Sequence, residues 1–324
     1  ISIVVKKGEL GGFIETENNL SQEGYCWIFN NAKVYDDARV SEDAKICGGA
    51  EIFDSAEVFG NAEISGNTQI FYGAHVCGNA KVYGYAKVCG KARVYGEAKV
   101  YNFAKILDNA QVYDNAKIYE NAIVAGDVQI YHNAQVYGNA WIYDDAFICD
   151  NARIYGLAKI FNKAIVYGNA KVYGNAQIFG KAKVYGNAEV YENAEIFDYA
   201  FIFGDAKVFS NAKIFGTTWL YCAAKIGDKL SLNKGKYIFA TLNIDETLSE
   251  IEPICYKISF AVRVIELKLP IEQGYIESLV SQFAEYNKLA DSFCGRTYLS
   301  PKEKEILAML SQCKKDVKIL KKWC

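Results

Sequence analysis

The chain has 324 residues and a formal net charge of −2, with 26 Gly and only three Pro. This charge gives no global electrostatic signature of a nucleic-acid-binding protein, and no apolar run approaches the ~18 residues that span a membrane. The low Pro content argues against a disordered chain, and the length is enough for two domains with a substantial core. We therefore expect a folded protein whose partners include neither nucleic acid nor a membrane.

The segment before residue 26 is predicted to cap a repeat that begins there. Residues 10–29 read LGGFIETENNLSQEGYCWIF and lead into the first strand of that repeat. The open end of a repeat protein exposes unpaired strand edges, which must be covered. We therefore assign residues 1–25 to an N-terminal cap.

A six-residue phrase then repeats over residues 26–227 without an insertion or deletion. Each phrase has a small residue, usually Ala, with Val or Ile two positions later. A period of six does not fit the 3.6 residues of an α-helical turn. Short strands separated by tight corners do fit, because residues two apart in a strand both point inward. The pattern predicts an all-β solenoid, a single-stranded parallel β-helix with three phrases per turn and about 11 turns.

Gly and Asn recur between the predicted strands, at the corners of the solenoid. A corner requires a positive φ, which Gly, Asn and Asp adopt at low cost. We therefore predict positive φ at both residue types, namely at Gly84, Gly96, Gly138, Gly168, Gly174 and Gly186 and at Asn109, Asn115, Asn139, Asn175 and Asn187.

The repeat resembles the left-handed parallel β-helix of the hexapeptide-repeat superfamily, and this resemblance covers residues 26–227 and implies the handedness. A narrower resemblance, to the opening of YdcK-like hexapeptide-repeat proteins, rests on the stretches Gly11-Gly12-Phe13, Leu20-Ser21-Gln22 and Cys26-Trp27-Ile28. That family carries a transferase label inherited from the superfamily. Many superfamily members are trimeric acyltransferases with a catalytic His near a subunit boundary, so the resemblance implies acyl transfer as one alternative.

Steps of three phrases place a column of tyrosines beside a column of mostly cationic residues on one face. The tyrosine column is Tyr83, Tyr101, Tyr119, Tyr137, Tyr155, Tyr173 and Tyr191, followed by Phe209. Its neighbours include Lys99, Lys117, Arg153 and Lys171. One interpretation is that the stacked rings only stabilise the turns. The other is a platform that binds glycan rings or an anionic polymer.

A second face becomes apolar towards its C-terminal end, which is typical of an interface. Its outward residues include Phe147, Ile165, Phe201, Phe203, Trp219 and Tyr221. We expect this patch to bind a protein partner, a second subunit or the C-terminal domain. The third face has a smaller patch around Ile123, Trp141, Tyr143 and Phe161.

Few residues are candidates for catalysis. The chain has two histidines: His75 is predicted as an outward residue near Glu57 and Arg93, and His132 as a corner residue. An acyltransferase would need one of them as its base, and two histidines 57 positions apart make no metal cluster. We therefore predict no catalytic residue, no metal site and no cofactor.

The cysteines of the repeat are predicted to be free thiols. Cys47, Cys77, Cys89 and Cys149 all take outward positions. The pair that shares a column, Cys77 and Cys149, lies about four turns apart, far beyond the ~7 Å between Cα atoms that a disulfide allows. Free thiols are typical of a reducing compartment, which predicts a cytoplasmic protein. Pairing among the five cysteines after residue 221 is left open.

Residues 228–324 have a different composition and are predicted to form a small α+β domain. Residues 236–244 and 256–269 are predicted strands. Residues 271–293 are a predicted helix, and Ser300, Pro301 and Glu303 mark the start of another. No family resemblance is apparent in this region.

These features together predict a non-catalytic structural or interaction scaffold, which presents its aromatic and basic columns and its C-terminal module to partners. Three alternatives stay open: a glycan- or polymer-binding protein that uses the tyrosine column, a hexapeptide-repeat acyltransferase, and an adaptor whose function lies wholly in residues 228–324.

Overall fold

The computed structural model describes Gly8 and residues 10–220, 224–227, 230–237, 280 and 313–320. The chain divides into two compact units, Ile1–Gly235 and Lys236–Cys324. The sequence placed the end of the repeat at residue 227. The first unit extends further because a strand, Ser231–Tyr237, joins the same sheet after the last turn.

The first unit is a parallel β-solenoid with three faces, which confirms the predicted fold class. Strands pair in parallel with the strands one turn, or three phrases, before and after them, as Lys81 pairs with Lys99. The two faces that we call A and B form a 24-stranded sheet together with Ser231–Tyr237, and face C is a separate 12-stranded sheet. The solenoid therefore has about 12 turns.

Nearly all strands are two residues long. Face A contains Phe13–Ile14, Lys33–Val34, Glu51–Ile52, Gln69–Ile70, Lys87–Val88, Lys105–Ile106, Ile123–Val124, Trp141–Ile142, Lys159–Ile160, Gln177–Ile178, Glu195–Ile196 and Lys213–Leu220. Face B contains Leu20–Gly24, Arg39–Glu42, Glu57–Val58, His75–Val76, Arg93–Val94, Gln111–Val112, Gln129–Ile130, Phe147–Ile148, Ile165–Val166, Lys183–Val184 and Phe201–Ile202, and the end of Lys213–Leu220 turns onto it. Face C contains Trp27–Ile28, Lys45–Ile46, Glu63–Ile64, Lys81–Val82, Lys99–Val100, Lys117–Ile118, Gln135–Val136, Arg153–Ile154, Lys171–Val172, Glu189–Val190, Lys207–Val208 and Lys225–Ile226.

The core is a narrow column of small and aliphatic side chains. Ala134 and Val136, which represent the two inward positions of every phrase, are both 0% exposed. The residues on either side of each aliphatic residue point outward, and we call them the first and second outward positions. Backbone hydrogen bonds connect successive turns: Lys81 N donates to Ala98 O and Tyr83 N donates to Val100 O, both at 2.9 Å. The predicted alternation of inward and outward residues is therefore confirmed.

The predicted positive φ is confirmed for the corner glycines and wrong for the corner asparagines. All six predicted glycines have φ between 69° and 81°. At corners that have Asn as their second residue, the positive φ belongs to the residue before it, for example to Asp108 (59°) rather than to Asn109. Asp is suited to this position because its carboxylate accepts a hydrogen bond from the corner one turn later, as Asp108 Oδ2 does from Gly126 N at 3.0 Å.

The corner asparagines instead form amide ladders along the solenoid. On the ridge between faces B and C, Asn133, Asn151 and Asn169 each donate through Nδ2 to the Oδ1 of the asparagine one turn later, at 3.1–3.3 Å. The last rung, Asn187, donates to Asp205 at 2.8 Å. Asn is therefore suited to this position because its side chain forms hydrogen bonds between turns, and not because the backbone has a positive φ there.

The predicted cap adds an irregular first turn, so the solenoid has about 12 turns rather than the expected 11. Phe13–Ile14 pairs with Lys33–Val34, and Leu20–Gly24 pairs with Arg39–Glu42. A short 3-10 helix, Glu17–Asn19, connects them. The buried Asn19 side chain donates to Asp36 O and Ala38 O, both at 2.8 Å, and so ties this turn to the regular repeat.

Few residues of the second unit are described. Residues 313–320 are helical, within the segment predicted to follow the Ser300 helix start, and Cys313, Val317 and Leu320 are buried. The other predicted elements of residues 236–324 lie outside the described residues, so the α+β domain stays a prediction. No helix in the described part of the chain is long and apolar enough to cross a lipid bilayer.

Candidate functional site

Face C carries the two predicted columns side by side, and we call it the Tyr–Lys face. The first outward position of its strands holds the cationic column and the second holds the aromatic column. From Tyr83 to Phe209 the rings stack in one continuous series, with centroids 4.8–5.3 Å apart and planes within 10° of parallel. The spacing follows from the distance between paired strands, ~4.8 Å.

The stacking leaves no free ring face inside the series. Tyr137, for example, has Tyr119 on one side at 4.8 Å and Tyr155 on the other at 4.9 Å. A sugar ring therefore cannot lie flat on an internal tyrosine, as the platform hypothesis required. What the column offers to a ligand is ring edges, which carry positive partial charge, and a row of hydroxyl groups.

The cations of the Tyr–Lys face are paired at its ends and unpaired in its middle. Lys81 contacts Glu63 at 2.8 Å, and Lys171 and Lys207 contact Glu189 at 3.1 and 3.0 Å. The hydrogen bond from Lys81 lowers the pKa of Glu63. Three cations lie between these pairs, namely Lys99, Lys117 and Arg153. They form no ion pair with any described residue.

A shallow depression of about 380 Å³ follows the border between these cations and the ridge that joins faces B and C. Its walls are Glu97, Lys99, Asn115, Lys117, Asn133 and Gln135. Glu97 is engaged by Asn79, whose Nδ2 donates to its carboxylate at 2.7 Å. The depression therefore presents ammonium and amide donors at intervals of one turn.

Burial of the tyrosine column raises the pKa of its phenols. Desolvation, followed by the charges of neighbouring Tyr137 and Tyr101, raises the pKa of Tyr119 to about 12. Desolvation is also the largest cause for Tyr173, whose pKa is raised to about 12. The hydroxyl groups of the column therefore stay protonated at neutral pH and can donate hydrogen bonds.

These shifts predict that the solenoid loses stability at alkaline pH. A phenol with a pKa near 10 in the unfolded chain binds its proton more tightly when folded, so unfolding releases protons between about pH 10 and pH 12 and stability falls as pH rises. We expect chemical denaturation to show this loss, and a Tyr119→Phe/Tyr173→Phe variant to show a smaller one. Tyr25→Phe, a change at an 85% exposed tyrosine outside the column, should leave the slope unchanged. An equal slope in all three proteins would contradict the prediction.

The predicted apolar patch lies on face B, where the structure brings most of its members together. Phe147 pairs with Ile165, and Phe201 with Trp219, whose ring centroids are 5.1 Å apart. Lys183 separates the two halves of the patch and places its Nζ 5.5 Å from the Phe201 ring centroid, a contact that sequence reasoning missed. Phe203 stacks on Tyr185 at 4.9 Å, and Tyr221 lies outside the described residues.

Face A carries two aromatic columns that the sequence analysis did not identify as ladders. They are Tyr35–Phe53–Phe71 and Tyr143–Phe161–Phe179–Phe197–Phe215, with centroids 4.8–5.1 Å apart. The predicted patch on this face contains the first two rings of the longer ladder and Trp141, which is 49% exposed. The same step of three phrases that identified the tyrosine column would have found both ladders.

The two histidines contact carboxylates. His75 Nδ1 lies 3.4 Å from Glu57, and its strand pairs it with Arg93, as predicted. His132 has φ 55° at a corner, with Nδ1 2.9 Å from Asp150 and Nε2 4.0 Å from Asp114. These contacts support the interpretation of His75 as a surface strand residue and of His132 as a corner residue.

The cysteines of the repeat are free, as predicted: Cys47, Cys77, Cys89 and Cys149. Cys26 is free as well. Burial is the largest cause that raises the pKa of the Cys149 thiol, which makes it a poor nucleophile. Among the described residues, no group of three or more His, Cys, Asp or Glu side chains could hold a metal ion. The cytoplasmic location stays a prediction.

The comparison with known proteins adds no relative. No protein-family model matches the chain, and no curated protein matches it. The resemblance to YdcK-like proteins, the handedness and the acyltransferase alternative therefore stay predictions.

Proposed function

We propose that the solenoid is a non-catalytic interaction scaffold that binds a linear acidic polysaccharide along the Tyr–Lys face. The observation that carries this proposal is a row of cations that form no ion pair among the described residues, Lys99, Lys117 and Arg153, next to the amide groups that line the depression. Like charges in register on neighbouring strands destabilise a sheet, and Lys99 and Lys117 are directly paired. An anionic ligand that lies along the row would relieve this repulsion.

The composition of the depression favours a sugar polymer over a simple anion. Lys99 and Lys117 can bind carboxylates, while Asn115, Asn133 and Gln135 can hydrogen-bond to hydroxyl groups. Protonated phenols of the adjacent column add further donors. A linear polysaccharide with one carboxylate per sugar combines both ligand groups, and it can follow a repeat that continues from turn to turn.

The corner carboxylates nearest to these cations lie on the two ridges that border the face: Asp114 and Asp150 make contacts within the ridge between faces B and C, and Glu120 lies beyond the tyrosine column. Asp114 Oδ2 accepts a hydrogen bond from His132 N at 3.2 Å, and Asp150 Oδ2 accepts one from Gly168 N at 3.0 Å. Asp108 and Asp144 lie on the opposite ridge, between faces A and B. Along the outward positions of the Tyr–Lys face, no carboxylate occurs between Glu63 and Glu189.

The test is binding of polygalacturonate to the full chain, measured by isothermal titration calorimetry at low ionic strength. Each cation is expected to contribute roughly 0.5–1 kcal/mol, so Lys99→Gln/Lys117→Gln/Arg153→Gln should weaken binding roughly tenfold or more. The matched control is Lys87→Gln/Lys105→Gln/Lys159→Gln, which removes the same charge from the first outward position of face A. It should bind as the unmodified protein does.

Three results would refute the proposal. They are the absence of binding, an equal loss of affinity in both variants, and equally tight binding of a neutral β-1,4-linked glucan oligomer. The second result would mean that only net charge matters. The third would mean that the carboxylates of the ligand contribute nothing.

A further inference from the structure

The ridge between faces A and B carries acidic and basic groups in alternating bands. The ridge consists of the corner residues that connect each face A strand to the next face B strand. Along it, the acidic members Asp36, Asp37 and Asp54 are followed by Lys91, then by Asp108, Asp127, Asp144 and Asp145, then by Lys163 and Lys181, and then by Asp198. We call it the banded ridge. None of the ion pairs found in the described part of the chain joins two of these residues.

The acidic groups of the middle bands contact neutral donors rather than cations among the described residues. Asp127 accepts a hydrogen bond from Asn109 at 2.9 Å, and Asp144 accepts one from Asn162 at 2.8 Å. Asp145 is half-buried.

Lys163 and Lys181 are exposed, and so are Asp127 and Asp144. Lys181 Nζ lies near the Tyr199 hydroxyl, at 3.4 Å, rather than near a carboxylate. Opposite charges that lie several turns apart on the ridge, such as Asp127 and Lys181, cannot reach each other within one chain. The surface of a second molecule that has the complementary order of charges can pair with both.

Apolar side chains border the same part of the ridge on both sides. On face A, the Tyr143–Phe161–Phe179–Phe197 ladder occupies the second outward position, next to the ridge. On face B, Phe147 and Ile165 occupy the first outward position, also next to the ridge. These half-buried side chains form an apolar margin around the charged bands, and such a combination is typical of an interface.

We propose that a second copy of this chain docks antiparallel along the banded ridge. In a symmetric dimer, each contact occurs twice. With the two-fold axis midway between the turns of Asp145 and Lys163, Asp145 faces the second copy's Lys163, and Asp127 faces its Lys181. The order of bands therefore makes this stretch of ridge complementary to itself when it is reversed.

The register can be judged by the signs of the contacts that it creates. Four attractive contacts form at the centre, because each of the two pairs occurs twice. The same register brings Asp108 opposite Asp198 at each end, which gives two repulsive contacts. The two Asp145–Lys163 contacts lie between the apolar margins of both copies, where charges are less screened, and the repulsive contacts lie at the two ends of the register. The charges set orientation and register, and burial of the apolar margins supplies most of the affinity.

The test is a charge swap, with mass measured by sedimentation of the full chain at low ionic strength. The unmodified chain should sediment as a dimer and shift towards the monomer in high salt. Asp127→Lys/Asp145→Lys gives all four second corner positions of the central ridge a positive charge, with Asp144 unchanged beside them, and should give a monomer. Lys163→Asp/Lys181→Asp makes the central ridge wholly acidic and should also give a monomer. An equimolar mixture of the two variants should recover the dimer.

The substitutions of the charge swap are compatible with the fold, because the chain already has both residue types at this position. Asp127, Asp145, Lys163 and Lys181 occupy the same second corner position, where φ is not positive, so each substitution introduces a residue type that the position already accepts. Lys99→Asp/Lys117→Asp, on the Tyr–Lys face, should leave the mass unchanged. A monomeric unmodified chain, a dimer that persists in either ridge variant, or a mixture that stays monomeric would overturn the proposal. Because no polysaccharide is involved, its outcome is independent of the function proposed above.

Discussion

Replacing Ile130 by Ala is expected to lower the free energy of unfolding of the solenoid by about 2–5 kcal/mol. Ile130 is 0% exposed, and its strand pairs it with Val112 on one side and Ile148 on the other. The hydrogen-bonded turns above and below hold the backbone in place, so the cavity cannot close by collapse. Denaturant-induced unfolding, followed by circular dichroism, measures the change.

Ile130→Val is the matched control for this prediction. Val already occupies the equivalent position one turn earlier, at Val112, so the substitution should cost only about 0.5–1.5 kcal/mol. Equal effects of the two substitutions would show that the interior adapts to lost volume. The interpretation of the core as tightly packed would then fail.

Replacing Tyr137 by Ala is expected to cost about 2–3 kcal/mol, although the side chain lies on the surface of the solenoid. The substitution removes two stacking contacts, with Tyr119 and Tyr155, each worth about 0.5–1.5 kcal/mol. It also exposes the neighbouring ring faces to water. The same denaturation experiment tests this prediction.

Tyr137→Phe separates the ring from its hydroxyl. The column ends in a phenylalanine, Phe209, whose ring centroid lies 5.3 Å from that of Tyr191. A ring without a hydroxyl group can therefore stack in this column. We expect Tyr137→Phe to change the free energy of unfolding by less than about 0.5 kcal/mol. A large loss in this variant would assign the stabilisation to the hydroxyl group and would contradict the stacking argument.

The regular part of the fold could be predicted because its determinants are local. Ala134 and Val136 stand two positions apart, as their counterparts do in every phrase, and a strand places such residues on one side. The first turn could not be predicted in this way. Phe13–Ile14 and Leu20–Gly24 lack the phrase, and they belong to the solenoid only because they pair with strands of the following turn.

The candidate site was predictable as a set of columns but not as a set of contacts. A step of three phrases identified the tyrosines of face C, because three phrases complete one turn. It did not show that neighbouring rings cover each other's faces. That property depends on the side-chain conformation of residues such as Tyr137, and it changes the proposed ligand from a stacked sugar ring to a chain of hydrogen-bonding and charged groups.

The sequence by itself determined the solenoid, the inward residues and the membership of each outward column, since all three follow from a short period repeated without interruption. Only the tertiary structure decided which of two corner residues has positive φ, as at Asp108 and Asn109. It also decided that Lys81 is paired with Glu63 while Lys99 is not. These outcomes depend on distances between side chains in successive turns. The period of the sequence gives the order of the residues but not those distances.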